Sequence, residues 1–164
     1  SVLSAVMRPA AQSHTEARTL WGIRESTAEF SQFLDPINFD VSLPIGDIGD
    51  FVKECRNRFQ QAWGEHRSLF FGHIGDSNLH VTVDGKSIPG VAHDKVDEIV
   101  YALVQEYAGS VSAEHGIGVH KRKYLSYSRS AEEIACMMKI KQVLDPNLIL
   151  NPGKLFGEQH AAFD

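Results

Sequence analysis

The chain has 164 residues, 43% of them hydrophobic and 23% charged, the make-up of one globular domain with a sizeable core, which excludes wholesale disorder. Sixteen basic against 21 acidic residues give a net charge of −5 with no basic stripe, which argues against nucleic-acid binding. No apolar run approaches the ~20 residues that a membrane-spanning helix needs.

Ser13-His14-Thr15-Glu16 reads as a capping box, with Ser and Glu each satisfying a free backbone N–H. It opens a helix that turns Leu20, Trp21, Ile23, Phe30 and Leu34 inward and stops before Pro36. Phe39 to Leu43 alternates apolar and polar residues, as a strand does. Asp47 is placed to cap a helix with an apolar stripe of Ile48, Phe51, Val52, Cys55, Phe59, Ala62 and Trp63. Leu69 to Phe71 and Leu79 to Val83 read as short strands, with Phe70 and Val81 as antiparallel neighbours. Val96, Ile99, Val100, Leu103 and Tyr107 define a further helix, ended by Gly109. Ser110 to Glu114 reads as another strand. Ser130 with Glu133 forms a second capping box, opening a helix whose Ile134, Met137, Met138, Val143 and Leu144 face inward until Asp145-Pro146.

Helices and strands thus interleave, and the strands are few and short. The economical solution is an α+β fold, a ferredoxin-like antiparallel sheet with helices packed on one face. The chain reads as a single domain over 1–164, with 1–15 and 158–164 as loosely ordered extensions. Ser1 in place of a methionine is read as the start of a piece excised from a longer protein. Cys55 and Cys136 fall in different predicted helices and read as small core hydrophobes of a reducing compartment, which points to the cytoplasm.

Eight histidines are unusual for this length. In Gly72-His73-Ile74-Gly75-Asp76-Ser77-Asn78-Leu79-His80, the four residues 75–78 are strong turn formers. If they form the loop of a hairpin, His73 lies directly opposite His80, with Cβ atoms ~4.5–5.5 Å apart. Two such imidazoles can converge on a metal; equally, they can be two half-buried histidines of a polar turn. In Ser112-Ala113-Glu114-His115-Gly116-Ile117-Gly118, Glu114 supplies a third ligand suited to zinc or manganese. Neighbours on a strand point to opposite sides, so Glu114 is assigned to the metal and His115 to a substrate. Gly116-Ile117-Gly118 is no dinucleotide fingerprint, because the third glycine would fall at Lys121. Arg24 suits the bidentate clamping of a carboxylate if it faces a pocket, and otherwise it is a solvated charge.

Five segments, in order, carry a resemblance: Leu20-Trp21-Gly22-Ile23-Arg24-Glu25, Asp40-Val41-Ser42-Leu43-Pro44, the His73–His80 segment, Gly109 to Gly118, and Asn151-Pro152-Gly153-Lys154. Together the chain resembles the C-terminal domain of the FAD-linked oxidases, in the branch of glycolate oxidase, D-lactate dehydrogenase and D-2-hydroxyglutarate dehydrogenase. The resemblance implies a ferredoxin-like cap on the substrate side of a flavin, FAD itself being held mainly by an N-terminal domain outside these residues. It implies a divalent metal, zinc or manganese, on His73, His80 and Glu114, with His115 as base. It also implies Arg24 on the substrate carboxylate, Asn38 and Thr82 on the rest of the substrate, and Asn78, Asn151 and Lys154 toward the flavin or the domain junction. The hydroxyglutarate-type pattern has Lys, Thr and Asn where this chain has Asn38, Ala28 and Thr82. Those departures favour a smaller or differently substituted 2-hydroxy acid, such as D-lactate or glycolate, which is oxidised to the 2-oxo acid by hydride transfer. The electron acceptor is unspecified, and a homodimer is an open expectation. Two readings compete: a free-standing metal hydrolase, whose ligands are also two His and one Glu, and a metal-free binding module.

Overall fold

The computed structural model describes residues 11–25, 33 and 35–156, with the side chains of 23–25 outside that description. The chain separates into two compact units, 1–34 and 35–164.

In the first unit, helix α1 spans His14–Glu25. Ser13 Oγ accepts the Glu16 N–H at 3.1 Å, as a cap should. The Glu16 carboxylate reaches past Ser13 to the Gln12 N–H at 2.7 Å, so the box is displaced by one residue. Leu20 and Trp21, expected to turn inward, are exposed. Ala28, Phe30 and Leu34 lie outside the described residues.

The second unit is built on strands β1 (Pro36–Ser42), β2 (Ser68–Phe71) and β3 (Asn78–Asp84). They form one antiparallel sheet in the order β1-β3-β2. Helices α2 (Ile48–Trp63) and α3 (His93–Glu106) follow β1 and β3 respectively. Alternation along the strands separates two faces. Ile37, Phe39 and Val41 of β1 join Leu79, Val81 and Val83 of β3 in the core with Phe51, Cys55 and Phe59 of α2 and Val96, Val100 and Leu103 of α3. The register pairs Phe70 with Val81, as the strand patterns suggest, and Phe39 with Val81 on the other side. Edge-to-face contacts of Phe39 with Tyr101 (5.4 Å) and Phe51 with Tyr107 (5.7 Å) knit α3 to the sheet and to α2. The remaining strand residues, Asn38, Asp40 and Ser42 with Asn78, His80 and Thr82, share the other face, and this polar face carries the site.

The fold class is α+β, as expected. The fourth strand, expected at Ser110–Glu114, shrinks to a single bridge between Ser110 and Ser42. That bridge still places the segment beside β1, in the position a ferredoxin-like sheet gives its last strand. Helix α3 also ends differently from expectation. Ala108, not Gly109, takes the left-handed conformation (φ 51°), and the Gly109 N–H closes the turn on the Val104 carbonyl at 2.8 Å.

Helix α4 (Ala131–Leu144) starts with the full reciprocal capping box of Ser130 and Glu133. Its inward face is shorter than the sequence suggests. Ile134 is buried, whereas Val143 (81%) and Leu144 (74%) are exposed, with Ile140, Leu148, Ile149 and Leu150 alongside in the chain. The two cysteines are free; Cys55 is buried in the core, and Cys136, expected inside, is exposed. Asp47 sits at the N-cap position of α2 without a side-chain capping bond.

Candidate metal centre and substrate cavity

His80 lies mid-strand on the polar face of β3, and its partner across the ladder is Phe71, not His73. The expected four-residue loop is in fact six residues long. A 3-10 turn at Ile74–Asp76 and a left-handed Ser77 (φ 66°) return the chain. The His73 carbonyl accepts both the Asp76 and Asn78 N–H groups, at 3.1 and 3.2 Å. Asn78 is thereby part of β3, buried opposite Ser42. Gly72 makes this return possible, because its Cα passes so close to the Asn78 backbone that no side chain fits there. His73 comes to His80 from the loop rather than from a strand, with ring centroids 6.1 Å apart, edge to face.

Glu114 completes the group. Its Oε1 lies 3.2 Å from His73 Nδ1 and accepts the side-chain amide of Asn78. One ligand atom each from His73, His80 and Glu114 lie within 4.8 Å of one another. Zinc bonds of ~2.0–2.2 Å would set tetrahedral edges of about 3.4 Å, so the His73–Glu114 edge already has that length and His80 needs a small approach. The donor set, two imidazoles and a carboxylate with the outer side open, fits zinc or manganese with positions left for substrate. Burial lowers the pKa of the His80 imidazole against the opposing pull of Asp40 and Glu114. That favours the neutral ring, the form that ligates.

Glu114 and His115 both face the site, although consecutive residues of a strand could not. The reason is Asp40, a buried carboxylate on β1. Its Oδ2 accepts the N–H groups of Ala113, Glu114 and His115 at 3.1, 2.8 and 3.0 Å. The backbone wraps around this oxygen and cannot continue as a strand. Gly116 (φ 73°) and Gly118 (φ 56°) continue the turn in a conformation that other residues rarely adopt. Lys121 closes the arrangement from below. Its half-buried ammonium donates to the Asp40 carbonyl (3.1 Å) and to Ser112 Oγ (3.0 Å) and stands 3.7 Å from Asp40 Oδ2. Burial alone would raise the Asp40 pKa, but the Glu114 and His115 N–H groups and the Lys121 charge outweigh it and hold it below its usual range. Burial lowers the pKa of Lys121, partly offset by Asp40.

A cavity of about 290 Å³ opens beside this group, lined by Asn38, Asp40, Phe71, His80, Thr82, His115 and Lys121. Ligand pockets run from about 300 to 1,000 Å³, so this one suits a small acid and does not suit a dinucleotide. At one side Thr82 Oγ1 donates to Asn38 Oδ1 at 2.8 Å. His115 is the most exposed of the cluster and stacks near His80 at 6.2 Å.

The structure therefore brings together His73, His80, Glu114, His115, Asn38, Thr82 and Asn78. Asn151 and Lys154 lie in an exposed C-terminal turn, whose Gly153 carbonyl accepts from Arg122 at 2.7 Å. Arg24 is the penultimate residue of α1, and its side chain lies outside the described residues. Asp40 and Lys121 are two charged members of the site to which the sequence reading assigned no role. Asp40 carried a signal: an acid inside a strand, between Phe39 and Val41, is a residue type that strands disfavour.

The polar face of this α+β domain gathers two imidazoles and a carboxylate that could hold a metal ion, beside a small cavity. Comparison with known proteins names the family. Residues 2–155 match the family described as FAD linked oxidases, C-terminal domain, and the chain belongs to it. It is similar to D-2-hydroxyglutarate dehydrogenase of Xanthomonas citri pv. viticola, 44% identical over 156 residues, covering 92% of this chain and 33% of that protein. The protein of the same name in Stutzerimonas stutzeri is 40% identical over 164 residues, covering 94% and 34%. The mitochondrial D-2-hydroxyglutarate dehydrogenase of Arabidopsis thaliana is 36% identical over 147 residues, covering 88% and 26%. The chain spans about a third or less of the length of these relatives.

Proposed function

We propose that this chain is the substrate- and metal-binding domain of an FAD-dependent D-2-hydroxy acid dehydrogenase. The observation that carries the reading is the convergence of His73, His80 and Glu114 beside a small-acid cavity that His115 also lines. A divalent ion held by those three residues would supply Lewis acidity toward a substrate hydroxyl. FAD, carried by the part of the protein outside these residues, supplies the acceptor for the hydride that leaves C2.

The chain's own residues do the rest. His115, facing the cavity, takes the hydroxyl proton as the C2–O bond becomes a carbonyl, the general-base role that histidine most often fills. Arg24 is assigned to the substrate carboxylate. Asn38 and Thr82 meet the substituent on C2. That pair is hydrogen-bonded and uncharged, and the nearby Lys121 charge is answered by Asp40. The cavity thus offers no free counter-charge among these residues for a second carboxylate, which favours a short acid such as D-lactate or glycolate over D-2-hydroxyglutarate. The row of exposed apolar residues from Ile140 to Leu150 supports a packing partner, assigned to the flavin-bearing segment. Asn151 and Lys154, next in the chain, are assigned to that junction.

The test is anaerobic flavin reduction in the protein that includes the FAD-binding segment, with D-lactate, glycolate and D-2-hydroxyglutarate. Bleaching by the short acids at higher kcat/KM is expected. Preference for hydroxyglutarate would overturn the substrate assignment, and no bleaching by any 2-hydroxy acid would overturn the class. His115→Ala should slow bleaching at least a hundredfold with the metal still bound, and a wild-type rate would remove His115 from the chemistry.

A further inference from the structure

One oxygen of Asp40 is left unexplained by the metal reading. Among the described residues, Asp40 Oδ1 is buried and has no hydrogen-bond partner, whereas Oδ2 on the same carboxylate accepts three backbone N–H groups. A buried carboxylate oxygen left unpaired is costly, so a donor is called for. The group facing it is His80 Nδ1, 3.7 Å away. A movement of roughly half an ångström or more at that atom would bring the pair to hydrogen-bond length.

We propose that Asp40 is a positioning residue that builds the metal centre with both of its oxygens. Oδ2 gathers the N–H groups of 113–115 and so turns Glu114 and His115 to the same side. Oδ1 accepts the Nδ1–H of His80 and thereby fixes the tautomer that leaves Nε2 bare for the ion. The second half rests on the metal reading of the site. The physical logic is general: a histidine that ligates a metal through one ring nitrogen is oriented by what the other nitrogen meets. Lys121 supports the arrangement by balancing the Asp40 charge at 3.7 Å, so that the carboxylate stays ionised within the fold.

The experiment reads tautomers, not turnover. In the 15N-labelled chain without metal, at a pH where its histidines are neutral, imidazole 15N shifts report which ring nitrogen carries the proton. His80 is expected to be protonated at Nδ1; a His80 protonated at Nε2 would overturn the proposal. Asp40→Asn keeps the shape but puts an amide where the charge was. It should weaken zinc binding by about 10–100-fold and move His80 toward the Nε2–H form. Unchanged zinc affinity together with an unchanged tautomer would overturn the proposal. If Asp40→Asn fails to fold, the wild-type spectrum decides alone. If the wild-type chain takes up no zinc, the metal reading fails by itself, and the spectrum still tests whether His80 carries its proton on Nδ1.

Discussion

Gly72→Ala is the substitution that most directly probes how the loop builds the site. A Cβ at this position would overlap the carbonyl oxygen of Asn78 and lie 3.0 Å from both the Asn78 carbonyl carbon and Leu79 Cα. All three atoms are backbone, so no rotamer change relieves the clash. Carbon atoms settle at about 3.5–4.0 Å, and the loop and β3 must therefore part by roughly half an ångström to one ångström. Overpacking of this kind costs about 1–3 kcal/mol. At about 2–4 °C per kcal/mol for a chain of this size, thermal unfolding should shift down by several degrees. The larger effect falls on the site, because His73 follows Gly72 directly and Asn78 holds Glu114. Functional groups tolerate about 0.5 Å of misplacement, so zinc affinity should fall tenfold or more. Calorimetric zinc titration and a thermal melt measure both quantities. Gly75→Ala is the control: a Cβ there meets nothing within 4 Å, and both readouts should stay at wild-type values. Gly72→Ala with wild-type affinity and an unshifted melt would refute the claim that this close approach sets the ligand geometry.

Phe59→Ala should cost about 3–5 kcal/mol, because the ring is fully buried between the sheet and α2, stacked on Trp63 at 5.2 Å and met edge-on by His66 at 5.5 Å; urea unfolding measures it, and a loss under 1 kcal/mol would contradict the packing. Asp145 anchors the segment after α4, accepting from Lys141 and from the N–H groups of Ile149 and Leu150 at 3.0 Å. The Lys141 ammonium first, and those N–H groups after it, hold the Asp145 carboxyl below its usual range. A depressed carboxyl adds stability above the ordinary aspartate range near pH 4, and this is lost as pH falls through the lowered value. Asp145→Asn should therefore flatten the acid limb of the stability–pH profile, and a profile identical to wild type would exclude the anchor.

Much of the architecture is legible in the residues because it rests on local physics. The stripe of Phe51, Cys55 and Phe59 makes α2 whatever lies elsewhere, and Ser130 with Glu133 starts α4 through bonds three residues apart. The alternation in β1 and β3 is equally local, and it already separates an apolar face from one bearing Asn38, Asp40, His80 and Thr82. The grouping of His73, His80 and Glu114 was also within reach of sequence, since residue type and turn chemistry brought His73 near His80, and Glu114 completed the chemistry.

What sequence could not decide depends on contacts between distant residues. The pairing of His80 with Phe71 instead of His73 follows from the six-residue return at Gly72–Ser77, which turn propensity alone does not distinguish from a four-residue one. The conversion of Ser110–Glu114 from strand to wrapped loop is the work of a carboxylate more than 70 residues earlier. Periodicity marked Val143 and Leu144 as inward-facing, but a helix stripe records only that a face is apolar, not that anything in these residues covers it. Residue pattern determines which side chains share a face; only the folded chain determines which faces meet, because that choice is made by hydrogen bonds and packing across the gap between segments.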